Sequence, residues 1–168
     1  MTLRLTLGVD PGLSGAVVAL ADGEPAGFID MPTRQAGKWA EVDGRALIVG
    51  IRELRAAHPG AYISAMVEKV GARPTDGGTS AFRFGESSGR VKCAFEALGI
   101  PYELAIPAVW KRHFGLLGQD KDAARQLALV RFPTAAHWLQ RKKDNGRADA
   151  LLLALYGDAI AGTERAAA

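Results

Sequence analysis

The feature that most constrains the fold is an alternating segment near the start of the chain, at residues 3–10. Its odd positions are apolar, its even positions are small or polar, and it ends on Asp10 before Pro11-Gly12. Alternation with a period of two predicts a strand with one buried face, and the Pro-Gly pair predicts its end. Two further apolar segments, 15–20 and 26–31, follow across short turn sequences. Because connections this short favour antiparallel pairing, three hairpin-connected strands are expected to open the chain.

The rest of the chain alternates between helical and strand patterns. Helices are predicted at 44–57, 79–98, 107–115, 120–132 and 147–161, with strands at 61–67 and 102–106. Residues 33–43 show neither period and are predicted to form a loop. This order predicts an α/β fold with a mixed five-stranded sheet, three antiparallel hairpin strands plus two parallel strands, and helices on both faces. We expect a single domain over residues 1–161 and a frayed tail over 162–168.

Composition excludes several classes of protein. With 48% hydrophobic and 23% charged residues in 168, the chain suits one globular domain and not a disordered segment. Its single cysteine, Cys93, excludes a disulfide scaffold and is expected to be buried in a helix. No apolar run approaches the length of about 20 that a membrane span needs. The opening residues also lack a signal-peptide pattern, so a cytoplasmic protein with no membrane partner is expected.

Basic residues are concentrated in one part of the chain. The segment 107–147 holds nine Lys and Arg against three Asp, whereas the whole chain has a net charge of only +3. Such an excess predicts a polyanionic partner, with nucleic acid the first choice. A solvated helical surface would have the same composition.

Several acidic residues stand where folding alone gives little reason for them. Asp10 ends the first strand, and Glu68 directly follows the buried strand at 61–67. Asp149 lies in the first turns of the last helix, and Asp144 lies just before that helix. Buried carboxylates are costly unless they are paired, and several together repel one another. Their convergence would therefore favour a bound divalent cation.

Each acid also has a purely structural explanation. The acid of the first strand could begin a Pro-Gly turn, and that of the later strand could pair with Lys69 or Arg73. Asp144 could be only the N-cap of the last helix. Asp149 could be only a partner of the helix dipole.

Three motifs resemble those of RuvC-type Holliday junction resolvases. They are GVDPGLSG at 8–15, VEK at 67–69 and RADALLLA at 147–154, and the element order agrees over essentially the whole chain. The segment 142–147 is similar to the phage-borne branch of this family. The resemblance implies a ribonuclease H-like fold and an endonuclease that makes paired, symmetric nicks in four-way DNA junctions during recombination and repair. It also implies a homodimer in the cytoplasm of a bacterial cell, of host or phage origin.

The resemblance implies a metal site as well. Asp10, Glu68 and Asp149 would be catalytic ligands of two Mg²⁺ ions, for which Mn²⁺ can substitute, with no small-molecule cofactor. The family's fourth acid lies three residues before the last aspartate, where this chain has Gly146. The nearest acid, Asp144, is therefore assigned as the fourth catalytic and metal-binding residue. It could serve only from a non-helical lead-in, because helix positions five apart point about 140° from one another.

The same resemblance implies contacts with DNA. Two lysines fall near family lysines that hold the phosphate backbone, although ordinary helix-surface charge would also explain them. The family's aromatic wedge lies three residues after the second acid, where this chain has Gly71, so two phenylalanines further on could take that role or could pack in the core. The candidate DNA-binding residues are Lys111, Lys121, Lys142, Lys143, Arg147, Phe82 and Phe84.

A pair of glycines bears on the expected homodimer. Gly85 and Gly89 lie four residues apart on the same predicted helix, in the region through which the family dimerises. Small residues at this spacing permit close helix–helix approach. The approach could be between two copies of the chain or within one copy.

Other functions stay open. The motif DPGLSG also resembles the first phosphate loop of actin-like ATPases and sugar kinases, but 168 residues leave no room for their second lobe. A ribonuclease H-like nuclease acting on other branched DNA, or on precursor RNA, would use the same acids. A non-catalytic junction-binding module gains nothing from clustered negative charge, because its ligand is itself an anion.

Overall fold

The computed structural model describes residues 2–71 and 77–167, with side chains described as far as residue 163. In chain order the strands are β1 (Arg4–Asp10), β2 (Ala16–Ala21), β3 (Glu24–Asp30), β4 (Thr33–Ala36), β5 (Trp39–Val42), β6 (Tyr62–Glu68) and β7 (Tyr102–Ala105). The α-helices are α1 (Gly44–Ala56), α2 (Gly78–Ala97), α3 (Pro107–His113), α4 (Ala123–Arg131) and α5 (Asn145–Ala167).

Five of these strands form the central sheet, in the order β3-β2-β1-β6-β7. Strands β1, β2 and β3 pair antiparallel, whereas β6 lies parallel to β1 and β7 lies parallel to β6. The turn between β2 and β3 is Asp22-Gly23, and both residues have positive φ, as a two-residue hairpin turn requires. The prediction of three antiparallel hairpin strands plus two parallel strands is confirmed.

The prediction of a loop at residues 33–43 is wrong. Strands β4 and β5 pair antiparallel as a separate hairpin, joined by Gly37-Lys38, with Gly37 at φ 63°. Arg34 and Glu41 form an ion pair across it, with Nε and Oε1 2.7 Å apart. Both faces of this hairpin are largely exposed, so it lacks the apolar alternation by which strands are recognised in sequence.

The helices cover both faces of the sheet, as predicted. Helices α3, α4 and α5 pack on one face, where α5 buries Leu151, Leu152 and Leu153 completely. Helices α1 and α2 cover the other face through residues such as Ile51 and Phe95. Full burial of each such side chain contributes roughly 1.5–3 kcal/mol. Helix α5 also continues through residues 162–167, where the sequence pattern predicted a tail.

Glycine permits α5 to lie directly on β1. A Cβ atom placed on Gly8 would come closer than 3 Å to the backbone of Ala150 and Ala154. A Cβ on Gly146 would collide in the same way with the carbonyl oxygen of Ser14. Since contacts this short do not occur, any larger residue would push the helix away. The close approach brings the first turns of α5 to the carboxyl end of β1.

Two expectations about helix α2 are corrected. Cys93 is exposed and not buried, because α2 packs through Val91, Ala94 and Phe95 on another side. Gly85 and Gly89 are also exposed, and no described atom lies within 4 Å of a Cβ built on either. Close packing within one copy of the chain therefore does not explain these glycines.

In residues 2–71 and 77–167, none of the helices combines the length and apolar character required to cross a bilayer.

Candidate active site

The parallel pairing of β1 and β6 brings two of the predicted acids to one edge of the sheet. Val9 is the register partner of Val67, so the residues that follow them, Asp10 and Glu68, end neighbouring strands at the same edge. Asp149 approaches from α5, where it directly precedes Ala150, whose backbone lies against Gly8. The backbone N–H of Gly12 donates to Asp10 Oδ1 at 3.0 Å, which fixes that side chain at the start of the turn.

The charges of the three carboxylates influence one another. Burial raises the pKa of Asp149 to about 7; the charge of Lys111 opposes this rise, and the charges of Asp10 and Glu68 add to it. Burial also raises the pKa of Asp10, against the hydrogen bond from Gly12 and the charge of Lys111. The site thus places more negative charge in a buried position than one lysine neutralises.

The donor chemistry of this site suits a hard divalent cation. Carboxylate oxygens are the ligands that Mg²⁺ and Mn²⁺ prefer, and a cation would relieve the repulsion that raises the pKa of Asp149. In the part of the chain that is described, no three His, Cys, Asp or Glu side chains are placed to hold one ion together as they stand. As described, the three acids are therefore near enough to influence one another but do not form a closed ligand set.

Helix α3 supplies two side chains to the site, and only one of them was predicted. The indole of Trp110 is completely buried and donates from Nε1 to Glu68 Oε1 at 3.1 Å. The ammonium of Lys111 lies 5.2 Å from the centroid of the same indole. From the sequence, Lys69 and Arg73 were the partners expected for Glu68, and Trp110 was not expected. Arg73 lies outside the described residues. A tryptophan adjoining a candidate phosphate-binding lysine was the available signal.

Asp144 is buried and paired with Arg141. Its side chain is only 4% exposed, and it accepts hydrogen bonds from the backbone N–H of Arg141 (2.8 Å) and from the Arg141 guanidinium (2.7 Å). The hydrogen bond from Arg141 lowers the pKa of Asp144, and Arg147 lies 3.8 Å from it. These contacts hold Asp144 in the short turn before α5, and among the described residues no hydrogen bond joins its side chain to the free N–H groups of that helix. The assignment of Asp144 as a metal ligand stays a prediction.

Asn145 is a residue that the sequence analysis missed. It lines a cleft of about 360 Å³ together with Asp149 and Lys111. Its Oδ1 atom is buried and has no hydrogen-bond partner among the described residues. Positions four apart lie on the same side of a helix, so Asn145 and Asp149 point the same way. An amide oxygen can also bind a metal ion but carries no charge, so a pattern of acidic residues does not reveal Asn145.

The predicted DNA-binding cations fall into two groups. Lys111 and Lys121 line the cleft that contains Asp149, and Lys142 and Lys143 are exposed just before α5. Their role in DNA binding stays a prediction.

Arg147 is the exception, since its side chain is only 14% exposed. Its guanidinium donates to both carboxylate oxygens of Asp30 at 2.6 and 2.7 Å and to the carbonyl of Trp138 at 2.9 Å. It also stacks 4.3 Å from the ring centroid of Phe28. Bidentate pairing of this kind fixes geometry, so Arg147 anchors the start of α5 on β3 instead of projecting towards DNA.

The two candidate wedge residues lie on the surface at the start of α2. Phe82 is 69% exposed and Phe84 is 39% exposed, so packing in the core does not account for them. Phe84 and Ser80 line a cleft together with Glu68 and Lys69. Phe84 is therefore the candidate nearer to the acids.

The raised pKa values predict an unusual dependence of stability on pH. Because the folded protein holds the Asp149 proton up to about pH 7 and the unfolded chain releases it near pH 3.8, the free energy of unfolding should fall between these values. About three pKa units correspond to roughly 4 kcal/mol. Denaturant unfolding in EDTA across this range should show the decrease, and Asp149→Asn should remove most of it. Stability that rises with pH over the same range would contradict this electrostatic picture.

Comparisons with known proteins give a partial match in sequence and likenesses in structure. No protein-family model matches the chain. The Holliday junction resolvase MOC1, chloroplastic, of Chlamydomonas reinhardtii is 36% identical over 84 residues. The match spans 49% of this chain but only 10% of that protein.

The structural likenesses cover nearly the whole chain. T. thermophilus RuvC in complex with a Holliday junction substrate superposes with a TM-score of 0.58 at 15% identity, over 90% of each chain. A second Thermus thermophilus RuvC structure has a TM-score of 0.50 at 16% identity, over 92% of this chain and 96% of that one. The chain therefore has the ribonuclease H-like fold of RuvC, which confirms the fold expected from the three sequence motifs.

Proposed function

We propose that this chain, which folds like RuvC, is a metal-dependent endonuclease that resolves four-way DNA junctions. The observation that carries the proposal is that Asp10 and Glu68 end neighbouring strands at one edge of the sheet, close enough to Asp149 that their charges add to the rise of its pKa, and that the charge of Lys111 acts on both Asp10 and Asp149. The comparisons support it, because one similar structure is RuvC bound to a Holliday junction substrate and the similar algal protein is named a Holliday junction resolvase.

In this proposal Asp10, Glu68 and Asp149 hold two Mg²⁺ ions, for which Mn²⁺ can substitute. When bound, such ions supply an activated water and stabilise the charge that develops on the phosphate and on the leaving oxygen. Trp110 keeps the Glu68 carboxylate oriented through its indole N–H. Lys111 orients the scissile phosphate through its ammonium, and the amide oxygen of Asn145 faces the same cleft.

The roles of Asp144 and Asn145 can be separated by substitution. If Asn145 supplies an oxygen ligand, Asn145→Ala should lower the cleavage rate by roughly 10–100-fold, and Asn145→Asp should preserve activity. Asp144→Asn should keep most activity, because the amide oxygen of Asn can still accept the hydrogen bond from the backbone N–H of Arg141. Single-turnover cleavage of a four-way junction at saturating Mg²⁺ measures each rate. An inactive Asp144→Asn beside an active Asn145→Ala would restore Asp144 as the fourth ligand.

Paired nicks require two sites, and α2 offers a surface for a homodimer. Gly85, Gly89 and Cys93 recur every four residues along one exposed side of this helix. Two copies of a helix with small residues at that spacing can approach closely, and a twofold axis would place the two sites on opposing strands.

The substitution Gly89→Arg should prevent this approach and yield a monomer by sedimentation, with nicks on the two strands no longer coupled. Gly44→Arg, at the start of α1, serves as the control and should leave the dimer intact, since no described atom lies within 4 Å of a Cβ built at this position. A wild-type protein that stays monomeric on junction DNA would contradict the proposed dimer.

The deciding experiment compares substrates and metals. Cleavage is measured on a synthetic four-way junction, a linear duplex of the same sequence and an RNA–DNA hybrid, each with Mg²⁺, Mn²⁺, Ca²⁺ or EDTA. The proposal predicts cutting of the junction alone, with Mg²⁺ or Mn²⁺. Cutting of the hybrid or of other branched DNA would favour a different ribonuclease H-like nuclease. Tight junction binding without cutting in any metal would favour a non-catalytic binding module.

For the location of this activity, we propose the bacterial cytoplasm. The similar algal protein is named chloroplastic, and that name describes the algal protein alone.

A further inference from the structure

A second cleft continues from the one that contains Glu68. Ser80 and Phe84 line both clefts, so the surface between them is continuous. The second cleft has a volume of about 420 Å³ and is bounded by Trp39 on β5 and by Arg83 on α2. Leu13, in the turn that follows Asp10, also lines it.

Trp39 presents an aromatic face to this second cleft. It is 52% exposed although it is one of the largest apolar side chains in the chain. The guanidinium of Arg83 stacks 4.0 Å from the centroid of its ring. An exposed indole beside a stacked arginine is a combination that favours a flat, electron-rich or anionic ligand.

The hairpin that carries Trp39 is held in place by ion pairs. Arg90 on α2 donates to Glu41 Oε2 at 2.8 Å and to the carbonyl of Val42 at 3.3 Å. Arg34 donates to the other carboxylate oxygen of Glu41 at 2.7 Å. The indole is therefore presented by a fixed platform, which lowers the entropic cost of stacking a ligand on it.

One cation lies directly beside the indole. The charged residues that line the second cleft are Arg83, Glu41 and Glu86, and Glu41 is paired with Arg34 and Arg90. A strand that leaves the acids in this direction therefore meets Arg83 and the aromatic rings of Phe84 and Trp39, whereas Lys111 and Lys121 lie in the cleft around Asp149.

We propose that Trp39 and Arg83 form a stacking site for an unpaired base of the DNA strand that passes through the active site. The inference rests on the proposed function and adds to it a contact with bases, on a surface that no sequence motif marked. Bases within a duplex are already stacked, so this site would select strands whose bases are open, as at a branch point or in single-stranded DNA. Phosphates would be held by the lysines and a base by the indole.

Binding of defined DNA probes tests the proposal. Affinities are measured in EDTA, so that no probe is cut, for a four-way junction, a single-stranded oligonucleotide and a linear duplex. Trp39→Ala should weaken binding of the first two probes by roughly 5- to 100-fold, and Trp39→Phe should weaken it by less than about threefold because a ring is retained. Binding of the duplex should not respond to either variant. Tyr62→Ala removes an aromatic side chain that is 59% exposed at the opposite end of β6, and should behave as wild type.

Fluorescence gives a second readout that does not depend on affinity. Trp110 is completely buried and Trp138 is partly buried against Phe28, so the measurement is made in a Trp138→Phe background, where junction DNA should quench chiefly the emission of Trp39 and the change should be lost when Trp39→Phe is added. Unchanged junction affinity in Trp39→Ala would overturn this inference and leave the proposed function standing. If DNA-free Trp39→Ala sediments with a lower mass than the DNA-free wild-type protein, Trp39 forms a contact between subunits and this inference is overturned. Absence of any junction binding by the wild-type protein would overturn both proposals.

Discussion

Replacing Asp10 by Asn is expected to abolish Mg²⁺-dependent cleavage while leaving junction binding intact. The amide has nearly the same shape, and its carbonyl oxygen can still accept the hydrogen bond from Gly12 N–H. It lacks the negative charge that a metal ligand at the end of β1 would contribute. We expect a loss of roughly 10³-fold, beyond the 10–100-fold typical of residues that only orient a ligand.

The same substitution should stabilise the metal-free protein near neutral pH. The charge of Asp10 raises the pKa of Asp149, so its removal relieves repulsion in the folded state. A merely unfolded variant would not show lower activity together with higher stability. Asp43→Asn is the matched control, because Asp43 is the N-cap of α1 and Asn preserves that cap. Cleavage by Asp10→Asn at the wild-type rate would remove Asp10 from the metal site.

The largest effect on stability is expected from Gly8→Ala. The added methyl group would collide with backbone atoms of Ala150 and Ala154, which cannot rotate away as a side chain can. Overpacking usually costs 1–3 kcal/mol, and we expect about 3 kcal/mol or more here because the helix itself must move. Displacing α5 would also carry Asp149 away from Asp10, so cleavage should fall even where the variant folds.

The free energy of unfolding is measured by denaturant titration in EDTA at a fixed pH. Gly44→Ala is the control, since no described atom lies within 4 Å of a Cβ at this position and its φ is not positive. It should leave stability unchanged or raise it by about 0.5–1 kcal/mol, because alanine restricts the unfolded chain more than glycine does. A Gly8→Ala protein that unfolds like wild type would contradict the close approach of α5 to β1.

Sequence patterns predicted the structural features that depend on the residues of a single strand, turn or helix. The alternation at 3–10 predicted β1, and the Asp22-Gly23 pair predicted the turn into β3 because few other residues adopt positive φ. The β4–β5 hairpin was missed because its cross-strand stability comes from polar pairs such as Arg34–Glu41 and not from apolar alternation.

The candidate site shows the same division. Asp10, Glu68 and Asp149 were found from sequence because each ends an element or breaks an apolar face, which a local pattern can reveal. Arg141 holds Asp144, whereas Asn145 lines the same cleft as Asp149. Which of these two residues lies on the side of Asp149 depends on the residue at which α5 begins. A shift of one residue rotates a helical side chain by about 100°, and that start is not encoded in apolar spacing.

The amino-acid sequence by itself determined the order of the five strands of the central sheet and of the α-helices, the faces they bury and the three acids beside them. Only the tertiary structure decided which distant groups meet. Arg147 turns inward to Asp30, 117 residues away, and Trp110 reaches Glu68 from another helix. Periodicity records which side of an element is buried, because that depends on neighbours a few residues away. The partner of a polar side chain depends on how elements far apart in the chain come to lie together, and no local pattern records that.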